Sequence, residues 1–167
     1  MEAVFTPVGV VRTGYANRKD CPKQYSEDAA QARIEIREGL ERAVADLAPG
    51  MEVWLLTWLH QGDVSVQAVH PRGDASRPLT GVFATRSPDR PVPIGMHRCR
   101  VAAVEGLVIA VTALEVMDGT PVLDIKPVIA ADDRPLLPEL DDLIRVGRLG
   151  WERGLFSGRE GNISVRT

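Results

Sequence analysis

The chain has 167 residues, with 20 Lys and Arg against 23 Asp and Glu, a formal net charge of −3 and a hydrophobic share of 44%. That composition supports one ordinary globular domain and excludes extended disorder, and the acidic balance excludes a whole-surface electrostatic grip on nucleic acid. No apolar run reaches the roughly 20 residues of a membrane helix, and the first residues lack the basic-then-apolar pattern of a secretion signal, so a reduced cytoplasm is the expected compartment.

In chain order, Phe5 to Tyr15 mixes alternating apolar residues with turn formers and predicts a first strand. Arg18 to Ser26 is polar, contains Pro22 and reads as a loop. Ala32 to Arg37 alternates cleanly and predicts a second strand. Glu38 to Leu47 sets Leu40, Val44 and Leu47 at helical spacing and is stopped by Pro49-Gly50, which predicts a helix. Met51 to His60 is a dense apolar run of strand length, expected to be buried on both faces. Val64 to Pro71 alternates again, and a polar loop follows from Arg72 to Leu79.

Gly81 to Thr85 predicts a short strand that runs into Pro88, Pro91 and Pro93, a stretch that cannot be helical. His97 to Gly106, Leu107 to Val116 and Val122 to Ile129 are rich in β-branched residues and predict three more strands. Their junctions, Glu105-Gly106 and Asp118-Gly119, suggest hairpins, the second with a longer turn. From Pro138 on, Leu140, Leu143, Ile144, Leu149 and Leu155 fall near one face of a C-terminal helix. The expected fold is therefore mainly β, a barrel or strongly coiled sheet with a C-terminal helix.

The familiar signatures of nucleotide binding and hydrolysis are missing from the sequence: no G-x-G-x-x-G follows the first strand, and there is no P-loop, no G-x-S-x-G and no H-E-x-x-H. A Rossmann domain is thus not expected. His60, His70 and His97 are scattered, and Cys21 and Cys99 lie far apart, so no metal site is expected. Two segments carry more chemistry. Between Gly81 and Gly95, three prolines stiffen a loop bearing Arg86 and Arg90, whose planar guanidinium groups suit carboxylate or phosphate. Between Asp118 and Pro127, Gly119 and Pro121 shape a tight loop, and Asp124 and Lys126 fall on one face of the strand after it.

Taken with Pro7-Val8-Gly9, Pro22-Lys23-Gln24 and the Trp54 to His60 run, the Gly81 to His97 and Asp118 to Pro127 segments resemble the TsaA-like family, the tRNA methyltransferase O group. The match is collinear over about residues 4 to 133, leaving 134 to 167 as a helical extension. The resemblance implies a β-barrel methyltransferase that uses S-adenosylmethionine and acts on N6 of threonylcarbamoyladenosine at position 37 of tRNA. It also implies a homodimer with the cofactor near the subunit interface. Carried over by motif, Pro22, Lys23, Gln24, His60, Gln61, Arg86, Met96, Gly119, Thr120, Pro121, Leu123 and Asp124 would hold the cofactor.

Methyl transfer from a sulfonium needs an acceptor lone pair in line with the methyl–sulfur bond and a site that excludes water. Arg86 and Arg90 are the candidates for holding the substrate's carbonyl or carboxylate, and Asp124, His60 or His97 for taking the proton. Two positions depart from the family pattern: its Asn is Val92 here, and its Ser is His97. Those departures keep two other readings open, a methyltransferase of the same fold acting on a small molecule and a non-catalytic S-adenosylmethionine-binding module.

Overall fold

A computed structural model describes residues 4–23 and 30–129. Eight strands and one short helix follow in order: β1 Gly9–Arg12, β2 Ala32–Ile36, α1 Glu41–Val44, β3 Glu52–Trp58, β4 Ala68–Val69, β5 Thr80–Gly81, β6 Ile94–Glu105, β7 Val108–Val111 and β8 Pro121–Pro127. Six of them close a barrel in the order β1-β2-β7-β6-β3-β8, with β8 returning to β1, and every neighbouring pair is antiparallel. Closure removes the free edges that an open sheet of these short strands would leave.

Period-two alternation decides which side chains fill the barrel. In β2, Ala32, Ile34 and Ile36 are buried while Arg33 and Glu35 face out. Val11, Ile34, Val53, Leu55, Val101, Ile109, Val111, Leu114 and Val122 are all at 0–1% exposure and form one core with Ala32, Cys99 and Val116. Each such aliphatic side chain contributes about 1.5–3 kcal/mol through its removal from water, and the branched shapes suit a narrow interior that has few aromatics to fill it. The mainly β, barrel-like, non-Rossmann expectation holds.

Several strand limits differ from the sequence reading. The Met51 to His60 run is not buried on both faces: Val53, Leu55 and Thr57 point inward, and Trp54, Leu56 and Trp58 stay half-covered outside. A six-stranded barrel has only one interior, so the second apolar face of β3 must lie on its surface. Gly81 to Thr85 is not a strand; Thr80–Gly81 pairs briefly with Ala68–Val69, and Val82–Ala84 then forms a 3₁₀ turn. The Val64 to Pro71 strand shrinks to those two residues, the first strand to four, and the helix to Glu41–Val44.

The hairpin at Glu105-Gly106 is present: Glu105 pairs with Val108 across a two-residue turn, with Gly106 at φ +59°. The second expected hairpin is absent. β7 ends at Val111, pairing with β2 and β6, whereas β8 pairs with β3 and β1. Ala113 at φ +50° turns the chain out of β7 instead. The expected C-terminal helix lies outside the described residues. Among the described residues no helix is long and apolar enough to cross a membrane.

Candidate functional site

Antiparallel pairing brings sequence-distant motifs to one end of the barrel. The C-terminal end of β3 lies against the N-terminal ends of β6 and β8, through Trp58 opposite Ile94 and Thr57 opposite Val122. β1 also finishes at this end, because the Val11 N–H donates to the Thr120 carbonyl at 2.9 Å. His60 and Gln61 follow β3 directly and are exposed. Their turn is packed closely: Leu59 N–H donates to Pro93 O at 2.8 Å, and a Cβ on Gly62 would collide with the Pro88 carbonyl.

The proline loop is held by a chain of local bonds. Thr85 Oγ1 donates to Val82 O at 3.0 Å, and the Ser87 N–H donates back to Thr85 Oγ1 at 3.2 Å. Arg90 is spent on this scaffold: its Nη2 donates to Val82 O at 3.0 Å and its Nη1 to Thr85 O at 3.5 Å, with Phe83 stacked 6.0 Å away. Arg86, four residues earlier, is exposed and makes no hydrogen bond or ion pair with any described residue. One arginine thus shapes the loop and the other is offered to solvent.

A second contact ties the arm after β1 to this loop. Arg18 donates from Nη1 to Asp89 Oδ1 at 2.8 Å and from Nη2 to Oδ2, and Asp89 Oδ1 also accepts the Asp63 N–H at 2.9 Å. The Arg18 hydrogen bonds hold the Asp89 carboxyl below its usual range. Pro22 and Lys23 follow Arg18 on this arm, and Lys23 Nζ donates to Arg72 O at 3.0 Å. Gln24 lies outside the described residues. Gly119, at φ +76°, donates its N–H to Val11 O at 2.9 Å, and Thr120 is buried, so both serve barrel closure as well as the mouth. Pro121 and Leu123 are half-buried at the start of β8.

Strand register separates Met96 from His97. Met96 faces outward, 46% exposed, directly across from Leu56, which on its other side pairs with Asp124. Met96, Leu56 and Asp124 therefore form one cross-strand row. The Asp124 carboxylate receives Lys126 Nζ at 2.7 Å and the Ile125 N–H at 2.9 Å and stays partly exposed. His97 points the other way. It is 7% exposed, its Nε2 is 3.0 Å from Thr57 Oγ1, and its Nδ1 is 2.8 Å from Glu115 Oε1. Both ring nitrogens are thus engaged with protein partners. Gly95 is required above it, since a Cβ there would strike Thr57 Oγ1 and His97 Nε2.

Sequence reasoning missed Arg18, Asp89, Thr57 and Glu115. Asp89 is part of the motif and was visible, but its partner lies 71 residues away. Glu115 sits in an apolar run, where a lone carboxylate could have signalled a buried partner such as His97.

A closed antiparallel barrel of six strands defines a small β-barrel domain of a non-Rossmann kind. The sequence model of the tRNA-methyltransferase O N-terminal domain matches residues 10–134. A probable S-adenosyl-L-methionine-binding protein of Methanothermobacter thermautotrophicus is 40% identical over 128 residues, covering 76% of this chain and 90% of that relative. The human tRNA (adenine(37)-N6)-methyltransferase is 35% identical over 135 residues, covering 77% of this chain but 31% of the human protein. The crystal structure of TrmO from Pseudomonas aeruginosa superposes with a TM-score of 0.67 at 29% identity, covering 82% of this chain and 60% of that one. The chain belongs to the tRNA-methyltransferase O N-terminal domain family.

Proposed function

We propose that this protein is an S-adenosylmethionine-dependent methyltransferase acting on N6 of the adenine at position 37 of tRNA, in its threonylcarbamoyl form. The observation that carries the reading is Arg86. It is a guanidinium with no partner among the described residues, on a pre-shaped loop at the barrel end that also holds His60, Gln61 and the Met96–Leu56–Asp124 row.

The residues fit the cofactor. Met96, Leu56 and Leu123 offer apolar surface for a flat ring, and the partly exposed Asp124 carboxylate complements hydroxyl groups or positive charge. Pro22, Lys23, Gln24, His60, Gln61, Gly119, Thr120 and Pro121 would complete that site. S-adenosylmethionine, when bound, supplies an electrophilic methyl group. Arg86 holds the carbonyl or the threonyl carboxylate of the acceptor and favours negative charge there, which weakens the N6–H. Arg90 acts through the loop, keeping Arg86 in place. The partly exposed Asp124 and the exposed His60 are the groups for the departing proton; His97 supports the wall from inside.

The names and sequences of the relatives support this reading, as does an anticodon loop whose unstacked bases suit a local arginine site despite the net charge of −3. Exposed Ile94 and Met96 beside half-covered Trp58 and Leu56 favour a homodimer, and two free cysteines favour the cytoplasm. A small-molecule acceptor is the second reading. It rests on Val92, 55% exposed on the proline loop where the family carries Asn. Mass spectrometry of tRNA nucleosides from cells with and without the gene separates the two. Loss of the N6-methylated threonylcarbamoyladenosine on deletion is expected; an unchanged profile would contradict the tRNA reading.

A further inference from the structure

The short β4–β5 pair, which lies outside the barrel, leaves an apolar surface open to solvent. Ala68 stands opposite Gly81 and Val69 opposite Thr80, and the Val82 N–H donates to Gln67 O at 3.0 Å. That pairing fixes which side chains turn outward. Val82 is buried, whereas Leu79, Gly81 and Phe83 are exposed. Phe83 is 83% exposed, more than any other aromatic side chain among the described residues, in a chain that is only 5% aromatic. A lone exposed leucine is ordinary on a protein surface. A phenyl ring left this bare is not, because aromatic side chains offer the largest areas for burial and this core is short of them.

The ring is also held in place. The Arg90 guanidinium lies over one face, 6.0 Å from the ring centre, and is itself pinned by the Val82 and Thr85 carbonyls. One face is therefore backed by a fixed cation and the other is open, so little ordering cost remains for a group that stacks there. Beside the ring is a gap. Gly81 sits at φ −58° and ψ 136°, a conformation that any residue adopts, and a Cβ there would meet no atom within 4 Å. Nothing inside the fold requires glycine at this position. Its missing side chain instead keeps a notch clear on the exposed face between Leu79 and Phe83.

A flat ring fits this place, with its face on the open side of the phenyl group and its edge over the glycine. Arg86 follows Phe83 by three residues, at most about 11 Å of chain, and makes no hydrogen bond or ion pair with any described residue. An apolar protein partner would match Leu79 and Phe83 but leave that guanidinium without a counterpart. A nucleotide supplies both a flat ring and an anion. We propose that Phe83 and the notch at Gly81 form a stacking platform for an unpaired base of the anticodon loop, beside the adenosine that Arg86 serves. The proposal rests on the tRNA reading above and adds how the RNA is gripped. A chain of net charge −3 gains little from its overall field, whereas stacking on an aromatic face needs no charge and accepts any base. Single-stranded RNA loops are recognised in this way because their bases are already splayed out.

The test is tRNA binding over a range of salt, read by fluorescence anisotropy for the wild type and for Phe83→Ala, Phe83→Leu, Phe83→Trp and Gly81→Leu. Phe83→Ala and Phe83→Leu are expected to weaken binding by about 5- to 100-fold, and Phe83→Trp to keep or improve it. The slope of log K against log salt should stay at the wild-type value in all of them, because no cation is lost. Gly81→Leu leaves the ring and its arginine intact but fills the notch, and is expected to weaken binding by a similar factor. Affinity for S-adenosylmethionine, measured by calorimetry, and the oligomeric state, measured by sedimentation, should be unchanged in all four. Wild-type affinity in Phe83→Ala or Gly81→Leu, or a Phe83→Leu variant that binds like the wild type, would overturn the platform while leaving methyl transfer standing. So would a flattened slope, which assigns the loss to displaced arginines, or a changed oligomeric state, which assigns the ring to a second copy of the chain. A wild-type protein that neither binds tRNA nor methylates it would overturn the underlying reading and the platform with it.

Discussion

Arg86 and Arg90 are chemically identical and four residues apart, yet they are assigned different work by what lies within reach of each guanidinium. Arg90 meets the carbonyls of Val82 and Thr85, and Val82 is 2% exposed, so cutting Arg90 back strips partners from a buried turn. Arg90→Ala is expected to lower stability by about 1–3 kcal/mol. Arg86→Ala is expected to change it by less than about 0.5 kcal/mol, as at other exposed positions. Urea unfolding of the two variants measures the contrast; equal losses would contradict the division of roles. The pair also marks what a sequence shows at this scale. The motif made both arginines visible, but it held no sign of which one the Val82 carbonyl would claim. His97 is similar: as a departure from the family's Ser it stood out, but its partners Thr57 and Glu115 become apparent only when β3, β6 and the chain after β7 are brought together.

At the scale of elements, the contact of greatest consequence is the one that fastens the arm after β1 to the proline loop. Arg18 lowers the Asp89 carboxyl, so the contact adds stability above the ordinary carboxylate value near 4 and loses it as pH falls through the lower, folded value. Asp89→Asn is therefore expected to be less stable than the wild type at pH 6, by about 1 kcal/mol given the exposure of Arg18, and equal to it in strong acid. Urea midpoints compared across that range test this; a difference that fails to narrow as pH falls through the lowered Asp89 value would exclude the ion pair as its source. Elements themselves were legible where alternation was clean, as in Ala32–Ile36 and the part of β6 from His97 on, whereas its first residues, Ile94 to Met96, were read into the proline loop. They were misjudged where apolar residues ran together. The outward face of β3 looked like core because Trp54, Leu56 and Trp58 are apolar, and Val82–Ala84 looked like strand although its backbone closes a 3₁₀ turn.

For the molecule as a whole, the mainly β class followed from many short β-branched runs, but closure did not. The order β1-β2-β7-β6-β3-β8 sets β8 between β3 and β1, a pairing that hairpin logic at Asp118-Gly119 would have denied. Closure also brings the ends of β1, β3, β6 and β8, and the dispersed motifs beside them, to one mouth. The central claim is that this mouth transfers a methyl group from S-adenosylmethionine to tRNA. Its most direct test uses purified protein, cofactor labelled in the methyl group, and tRNA that carries threonylcarbamoyladenosine. The account predicts label in the N6 position of that nucleoside, lost in Arg86→Ala at saturating cofactor. A wild-type protein that binds the cofactor but leaves this tRNA unlabelled, or an Arg86→Ala variant with full turnover, would contradict it.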